Sequence, residues 1–350
     1  MRIEPRETVS WLGAAFAPIA AIALALMLCA VLILWTGVSV LEAYALLFKG
    51  AFGSAFALNE TFTRSIPLIF TGLAVAIAFK AKFYNIGGEG QLYAGALAAT
   101  FFGTGLITLP PVLMIPLLMI VGALAGGALL ILPVLLKTRL NVDEVVTTLL
   151  LNFVVILLVS YLIEGPWRDP MAMGWPQAAS IIDEGVLPPL LAKGRLHFGL
   201  IIAMLAALVI WAMMRFTVLG YEIRAVGYNA GAAEFAGISV NRTVIITALL
   251  SGGLAGMAGV SETTGLKGYL TLDLSPGFGY TGIAVAMLAQ LNPLAVIPAA
   301  LFLSAVFVGA DAMSRAVNIP TYIADVLVGV SVLAMLLTAM LTQYKITWRS

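Results

Sequence analysis

Apolar residues occur in this chain as long unbroken runs, not as a two-residue alternation, and that pattern predicts membrane-spanning helices. A helix needs about 20 apolar residues to cross a bilayer. Ten runs approach or exceed that length: 12–37, 62–80, 86–105, 111–136, 144–163, 198–214, 243–262, 277–290, 293–312 and 321–342. The eighth is short and is expected to be broken or re-entrant. The runs are too continuous for lipid-facing barrel strands, so helices remain as the spanning structure. The expectation is an all-α polytopic membrane protein with about ten transmembrane helices, forming one transmembrane domain over 1–350.

Composition agrees. Of 350 residues 62% are hydrophobic and 10% charged, whereas a soluble domain carries about 25% charged residues. A formal net charge of +1 gives no basic surface for nucleic acid. The single cysteine, Cys29, lies inside the first apolar run and rules out a disulfide framework. One histidine, His197, and no His/Cys cluster offer no metal site and no catalytic triad; an interfacial role suffices for it. The first run is too long for a signal-peptide core of about 7–15 residues and is expected to be retained.

With ten spans both termini share a side. Eleven Lys and Arg fall on that side, including Arg2, Arg6, Lys345, Arg349 and the short-loop pairs Lys80/Lys82 and Lys137/Arg139, against seven on the other, Lys193 among them. The excess predicts cytoplasmic termini. The connection 164–197 then lies outside, and its Pro166, Trp167, Trp175, Pro176, Pro188 and Pro189 predict an ordered interfacial cap. Segment 39–60 is also outside; its Tyr44, Leu47, Phe48 and Ala51 have helical spacing and predict a helix along the surface. The stretch TGLAVAIA at 71–78 is echoed by TGIAVAML at 281–288, but the two are expected to run in the same direction, so the echo does not define an inverted repeat.

Residues 83–91 read FYNIGGEGQ between two apolar runs. Gly87, Gly88 and Gly90 disfavour a continuous helix. The segment can be a plain turn, with Asn85 capping the next helix and Glu89 near its positive end. It can also be a break that dips into the membrane and presents Asn85, Glu89 and Gln91 to a polar path. In NVDEVVTTLLLNF, 141–153, Asn141 and Glu144 have capping-box spacing. Glu144, Thr148 and Asn152 also fall at i, i+4 and i+8, one stripe of the fifth span. Thr148 and Asn152 are candidates for the same path or for helix–helix hydrogen bonds. On the path reading Asn152→Leu impairs uptake and leaves insertion normal, because one interhelical bond is worth about 1 kcal/mol. Gly122/Gly126 and Gly252/Gly256 predict close helix packing. Glu262, Asp311 and Asp325 fall near the outer ends of spans seven, nine and ten and are expected at the interface.

The loop 215–242 lies inside. Asn229 can cap a short helix over 230–236, and Gly237 can end it. Its Ala- and Gly-rich surface carries too little charge for a solvated loop helix, which leaves packing on the protein's own inner face or docking on a partner. There is no G-x-x-x-x-G-K-[ST] phosphate loop.

Taken in order, FYNIGGEGQLYAGALAA, DEVVTTLLLNF, GYEIRAVGYNAGAAEFAGISVNR, SGGLAGMAGVSE and GFGYTGIAVAMLAQLNP resemble the permease subunits of bacterial ABC importers of the nucleoside and simple-sugar branch, related to ribose and branched-chain amino acid permeases. The resemblance covers about 60–340. It implies a type II-like importer permease of the bacterial plasma (inner) membrane, without an ATPase site or cofactor of its own. Its implied partners are ABC ATPase subunits that bind ATP, a second permease subunit (identical or homologous), a periplasmic or extracellular substrate-binding protein, a small-molecule substrate and membrane lipid. It implies that the helix near 230 is a coupling helix, with Arg224, Asn229, Ala232, Ala233 and Gly237 as ATPase-coupling candidates and Ala233 at the contact centre. The path candidates are Asn85, Glu89, Gln91, Thr148 and Asn152. The alternative is an ion-gradient-driven secondary transporter of a small polar solute, which would want paired acids at mid-depth; a lipid-modifying membrane enzyme would want more than one histidine.

Overall fold

A computed structural model describes residues 2–5, 11–192, 194–317 and 320–347. Arg6, Lys193 and Arg349, which enter the charge asymmetry, lie outside the described residues, and Arg2 and Lys345 are described in backbone only. The elements run β1 (Arg2–Pro5), α1 (Trp11–Trp35), α2 (Val40–Phe52), α3 (Ala55–Lys80), α4 (Gly88–Gly103), α5 (Pro111–Leu129), α6 (Ile131–Leu140), α7 (Glu144–Glu164), α8 (Gly199–Phe216), α9 (Val218–Tyr228), α10 (Ala230–Phe235), α11 (Val240–Ser261), α12 (Phe278–Leu288), α13 (Val296–Val317), α14 (Tyr322–Gln343) and β2 (Tyr344–Thr347).

Each predicted apolar run carries a helix. Among the described residues six helices are long and apolar enough to cross a membrane: α3, α5 with α6, α7, α8, α11 and α13. The pair Ile19–Trp35 and α2, bent by 116°, raises the number to seven. The protein is thus a helical, multi-pass membrane protein. One feature departs from the all-helical expectation: β1 and β2 form a two-stranded antiparallel ladder with Arg2 opposite Thr347. Segment 39–60 carries the helix α2, which packs on α13, where a Cβ on Gly309 would stand 2.3 Å from the Leu47 carbonyl oxygen.

Helices α3 and α11 form the buried centre. The predicted glycine pairs meet each other there. A Cβ on Gly252 would stand 2.4 Å from the Gly126 oxygen, and one on Gly256 would stand 2.2 Å from the Gly122 oxygen. Helix α4 joins the same crossing, since a Cβ on Gly95 would stand 2.1 Å from the Gly256 oxygen. The echoed segments are packing partners as well: α12 lies on α3, with Gly282 against Thr71 and Gly72 against Val285.

The candidate path and the α10 face

The stretch 83–91 is a break, and the stripe on α7 is its rail. Residues 83–87 are not helical; α4 begins at Gly88. The backbone N–H of Tyr84 donates to Glu144 Oε1 (3.0 Å), that of Ile86 to Thr148 Oγ1 (3.2 Å) and that of Gly90 to Asn152 Oδ1 (2.8 Å). Asn152 Nδ2 donates in turn to the Ile86 carbonyl and the Tyr280 hydroxyl, each at 3.1 Å. Glu144 to Asn152 spans two helical turns, about 12 Å along α7 at 1.5 Å per residue. Non-helical backbone at such depth must have its polar groups met from within the protein, and the α7 stripe meets them. Gly90 permits the approach, since a Cβ there would stand 2.9 Å from Asn152 Oδ1.

Two corrections follow. The cap of α7 is Asp143, which accepts from the Val145 N–H (2.7 Å), while Asn141 takes a left-handed conformation (φ 53°) and closes α6. Glu144 is therefore free of a capping box and pairs with Lys137 as well as holding Tyr84. Likewise Asn85 does not cap α4, whose cap position is Gly87. Asn85 and Gln91 exchange amide hydrogen bonds at 2.9 and 2.8 Å, and Asn85 Nδ2 also donates to Ser251 Oγ, which donates to the Ala74 carbonyl of α3.

Glu89 reaches the opposite neighbour. Its Oε2 accepts from the backbone N–H of Gly279 (2.7 Å), in the first turn of α12. A Cβ on Gly88 would lie 3.2 Å from the Gly279 oxygen. The N-terminal ends of two short helices, α4 and α12, therefore meet backbone to backbone, with a carboxylate where their dipoles favour negative charge. All five path candidates are buried and gathered within this one cluster. Sequence reasoning missed Ser251, Gly279 and Tyr280 as members. All three stand inside the quoted stretches SGGLAGMAGVSE and GFGYTGIAVAMLAQLNP, but no spacing ties them to residue 85 or 152.

The loop helix α10 forms as expected. Asn229 Oδ1 accepts from the Ala232 N–H (3.0 Å), and Gly237 ends the helix at φ 86°. Its two faces differ from the expectation. Ala233, expected at a contact centre, is buried in an apolar cluster that includes Phe83, Val226 and Val244, while Phe235 is 97% exposed beside exposed Ala232. Arg224 stands on α9 and lines a cavity on the far side of that helix.

At the opposite ends of the helices, Glu262 is buried rather than interfacial, in a single π-type turn that continues α11. Asp311 pairs with Arg64 at 2.8 Å, and Asp325 is exposed. His197 is also buried, not interfacial. Its Nδ1 accepts from the Gly199 N–H (3.2 Å), its Nε2 has no partner among the described residues, and Gly265 closes over the ring. Burial pushes its pKa down to about 4. The unfolded chain takes up this proton near pH 6.5, before the folded one does. Stability is therefore complete above pH 6.5 and falls as pH drops toward 4, by about 3 kcal/mol in all. Thermal unfolding in detergent at pH 7 and pH 4.5 measures this; His197→Gln is expected to flatten the profile, and an unchanged slope would sink the assignment.

A bundle of buried helices, a polar break held inside it and an exposed loop helix describe a multi-pass helical membrane protein. The match to known proteins is specific. Residues 57–336 match the family described as branched-chain amino acid transport system / permease component, and the chain belongs to it. It is 35% identical to the guanosine ABC transporter permease protein NupP of Bacillus subtilis over 90% of this chain and 91% of that one. It is 33% identical to the glucose ABC transporter permease protein TsgB13 of Haloferax volcanii over 99% and 93%. It is 33% identical to the nucleoside ABC transporter permease protein NupB of Lactococcus lactis subsp. cremoris over 85% and 84%. No solved structure matches.

Proposed function

We propose that this permease carries a nucleoside or simple sugar inward, as one transmembrane domain over 1–350 with about ten spans, type II-like architecture and cytoplasmic termini in a bacterial plasma membrane. Relatives named for guanosine, nucleoside and glucose transport support the substrate class. The Lys/Arg excess and the pairing of β1 with β2 support termini on one cytoplasmic side. In this reading ATPase subunits bind ATP and dock on α10 from inside. A substrate-binding protein delivers from outside over the 164–197 cap, and a second permease subunit completes the assembly. Asn85, Glu89, Gln91, Thr148 and Asn152 form the polar lining of the path: they hold the break on α7 and come to face substrate when α4 and α12 part.

One shared cluster carries the reading. Ala233, on the inner side of α10, belongs to the same small apolar cluster as Phe83, the first residue of the break. A push on the outer side of α10 therefore reaches 83–91 through that cluster. The capped helix is ordered before docking, so little entropy is lost when a partner engages it, and Phe235 is its anchor. Phe235→Ala is expected to weaken ATPase pull-down and substrate-stimulated ATP hydrolysis at least tenfold, about the effect of losing an aromatic hot spot, with insertion unchanged. Ala233→Arg is not the clean test it looks from sequence, because it forces a charge into the protein's own core. Normal ATPase capture by Phe235→Ala would reject α10 as the docking element.

A further inference from the structure

We propose that the cavity between the ends of α3, α8 and α9 is a binding site for the phosphate headgroup of an anionic membrane lipid. The cavity has a volume of about 1050 Å³. Three cations line it, Lys80, Arg215 and Arg224, and among the described residues no acidic one does. None of the three enters an ion pair among the described residues. Three like charges converging on one space cost energy unless an anion shares it.

Two further features tie the space to a lipid. Trp211, four residues before Arg215 on the last turns of α8, also lines it. An indole beside basic residues at the end of a spanning helix marks headgroup depth, and basic pockets between spans bind lipid phosphates. Leu288 and Leu291 supply an apolar wall for the acyl end. The site is also fixed in shape. Leu291 holds a left-handed backbone (φ 58°), which a bulky residue adopts only where its surroundings enforce it. Gly227 lets α9 approach the end of α3 so closely that a Cβ there would stand 1.8 Å from the Lys80 oxygen, which sets the spacing of Lys80 and Arg224. The leaflet concerned, the cytoplasmic one, rests on the orientation proposed above; binding itself does not.

The test is lipid retention by the purified full chain, read by native mass spectrometry with phosphatidylglycerol, phosphatidylcholine and inorganic phosphate. Phosphatidylglycerol is expected to be retained, phosphatidylcholine not, and millimolar phosphate should not displace the lipid. Arg215→Gln and Arg224→Gln should each weaken retention about fivefold, the value of one basic residue at a membrane surface, and the double variant roughly twentyfold or more. Lys82→Gln, on the same side but lining a different cavity, should change nothing. If the double variant fails to fold, the Arg215→Gln single variant decides. Equal retention of phosphatidylglycerol by the variants, or of phosphatidylcholine by the parent, overturns the proposal. Displacement by inorganic phosphate overturns its lipid part. None of these readings depends on ATPase docking or on transport.

Discussion

Gly256→Leu is expected to abolish accumulation of folded protein. The position has no room for any side chain: the first added carbon would stand 2.2 Å from the Gly122 oxygen and 3.0 Å from its carbonyl carbon. Those atoms are backbone and cannot swing away, so α5 and α11 must separate. Separation also breaks the seat of α4, because Gly95 rests on the Gly256 oxygen from the other side. Overpacking a core by a few methylenes costs about 1–3 kcal/mol when side chains can yield; with three backbones in contact the loss should exceed that range and approach the whole stability of about 5–15 kcal/mol. Fluorescence-detected size exclusion after expression measures it. Gly329→Ala, where nothing lies within 4 Å, should behave as the parent. A monodisperse Gly256→Leu peak would mean the three helices do not cross as described.

Asn152→Leu is expected to lower stability by about 3 kcal/mol or more and to abolish uptake as a consequence. Double-mutant measurements put a typical hydrogen bond between spanning helices at only about 0.6 kcal/mol, because the separated helices find other partners. That value would leave the protein folded and only the path impaired. Asn152 is a different case. It serves the Gly90 N–H, the Ile86 carbonyl and the Tyr280 hydroxyl at once. The Ile86 carbonyl lies in the break and the Gly90 N–H in the first turn of α4, so neither has a helical partner, and each buried orphan costs about 1–3 kcal/mol. A thermal-shift measurement decides between the two values. A variant with parental melting and lost uptake would make Asn152 a path residue without a structural duty.

The comparison of these two positions shows what the sequence made legible. Helix packing through Gly122, Gly126, Gly252 and Gly256 is readable because small-residue spacing is a property of each helix alone. So is α10, since Asn229 and Gly237 act within a few residues of each other. Both halves of the site, the Gly-rich break and the α7 stripe, also stand out. Their union does not, because the donors are backbone N–H groups, which every residue carries, and they reach acceptors 60 or more positions away. Local ambiguity explains two further misses. Asn141 and Asp143 both resemble caps, and the choice falls to Asp143 because Asn141 is needed to close α6. Ala233 could not be assigned a face, because the first four residues of the six-residue helix are Ala and Gly and look alike all round; only Glu234 and Phe235 mark its exposed side.

The rail on α7 has a finite number of rungs. Glu144, Thr148 and Asn152 carry polar side chains, but Glu144 is the first residue of α7 and the next position beyond Asn152 is Ile156. Sliding the break along α7 by one turn, 5.4 Å, would carry a backbone donor past the start of the helix one way or set it against an aliphatic chain the other. Only one register satisfies all three donors. The 84–90 segment and α7 are thus indexed to each other like a key in its ward, and relative motion between them breaks four hydrogen bonds at once. Motion of α12 against them breaks two, Glu89 to the Gly279 N–H and Asn152 to the Tyr280 hydroxyl.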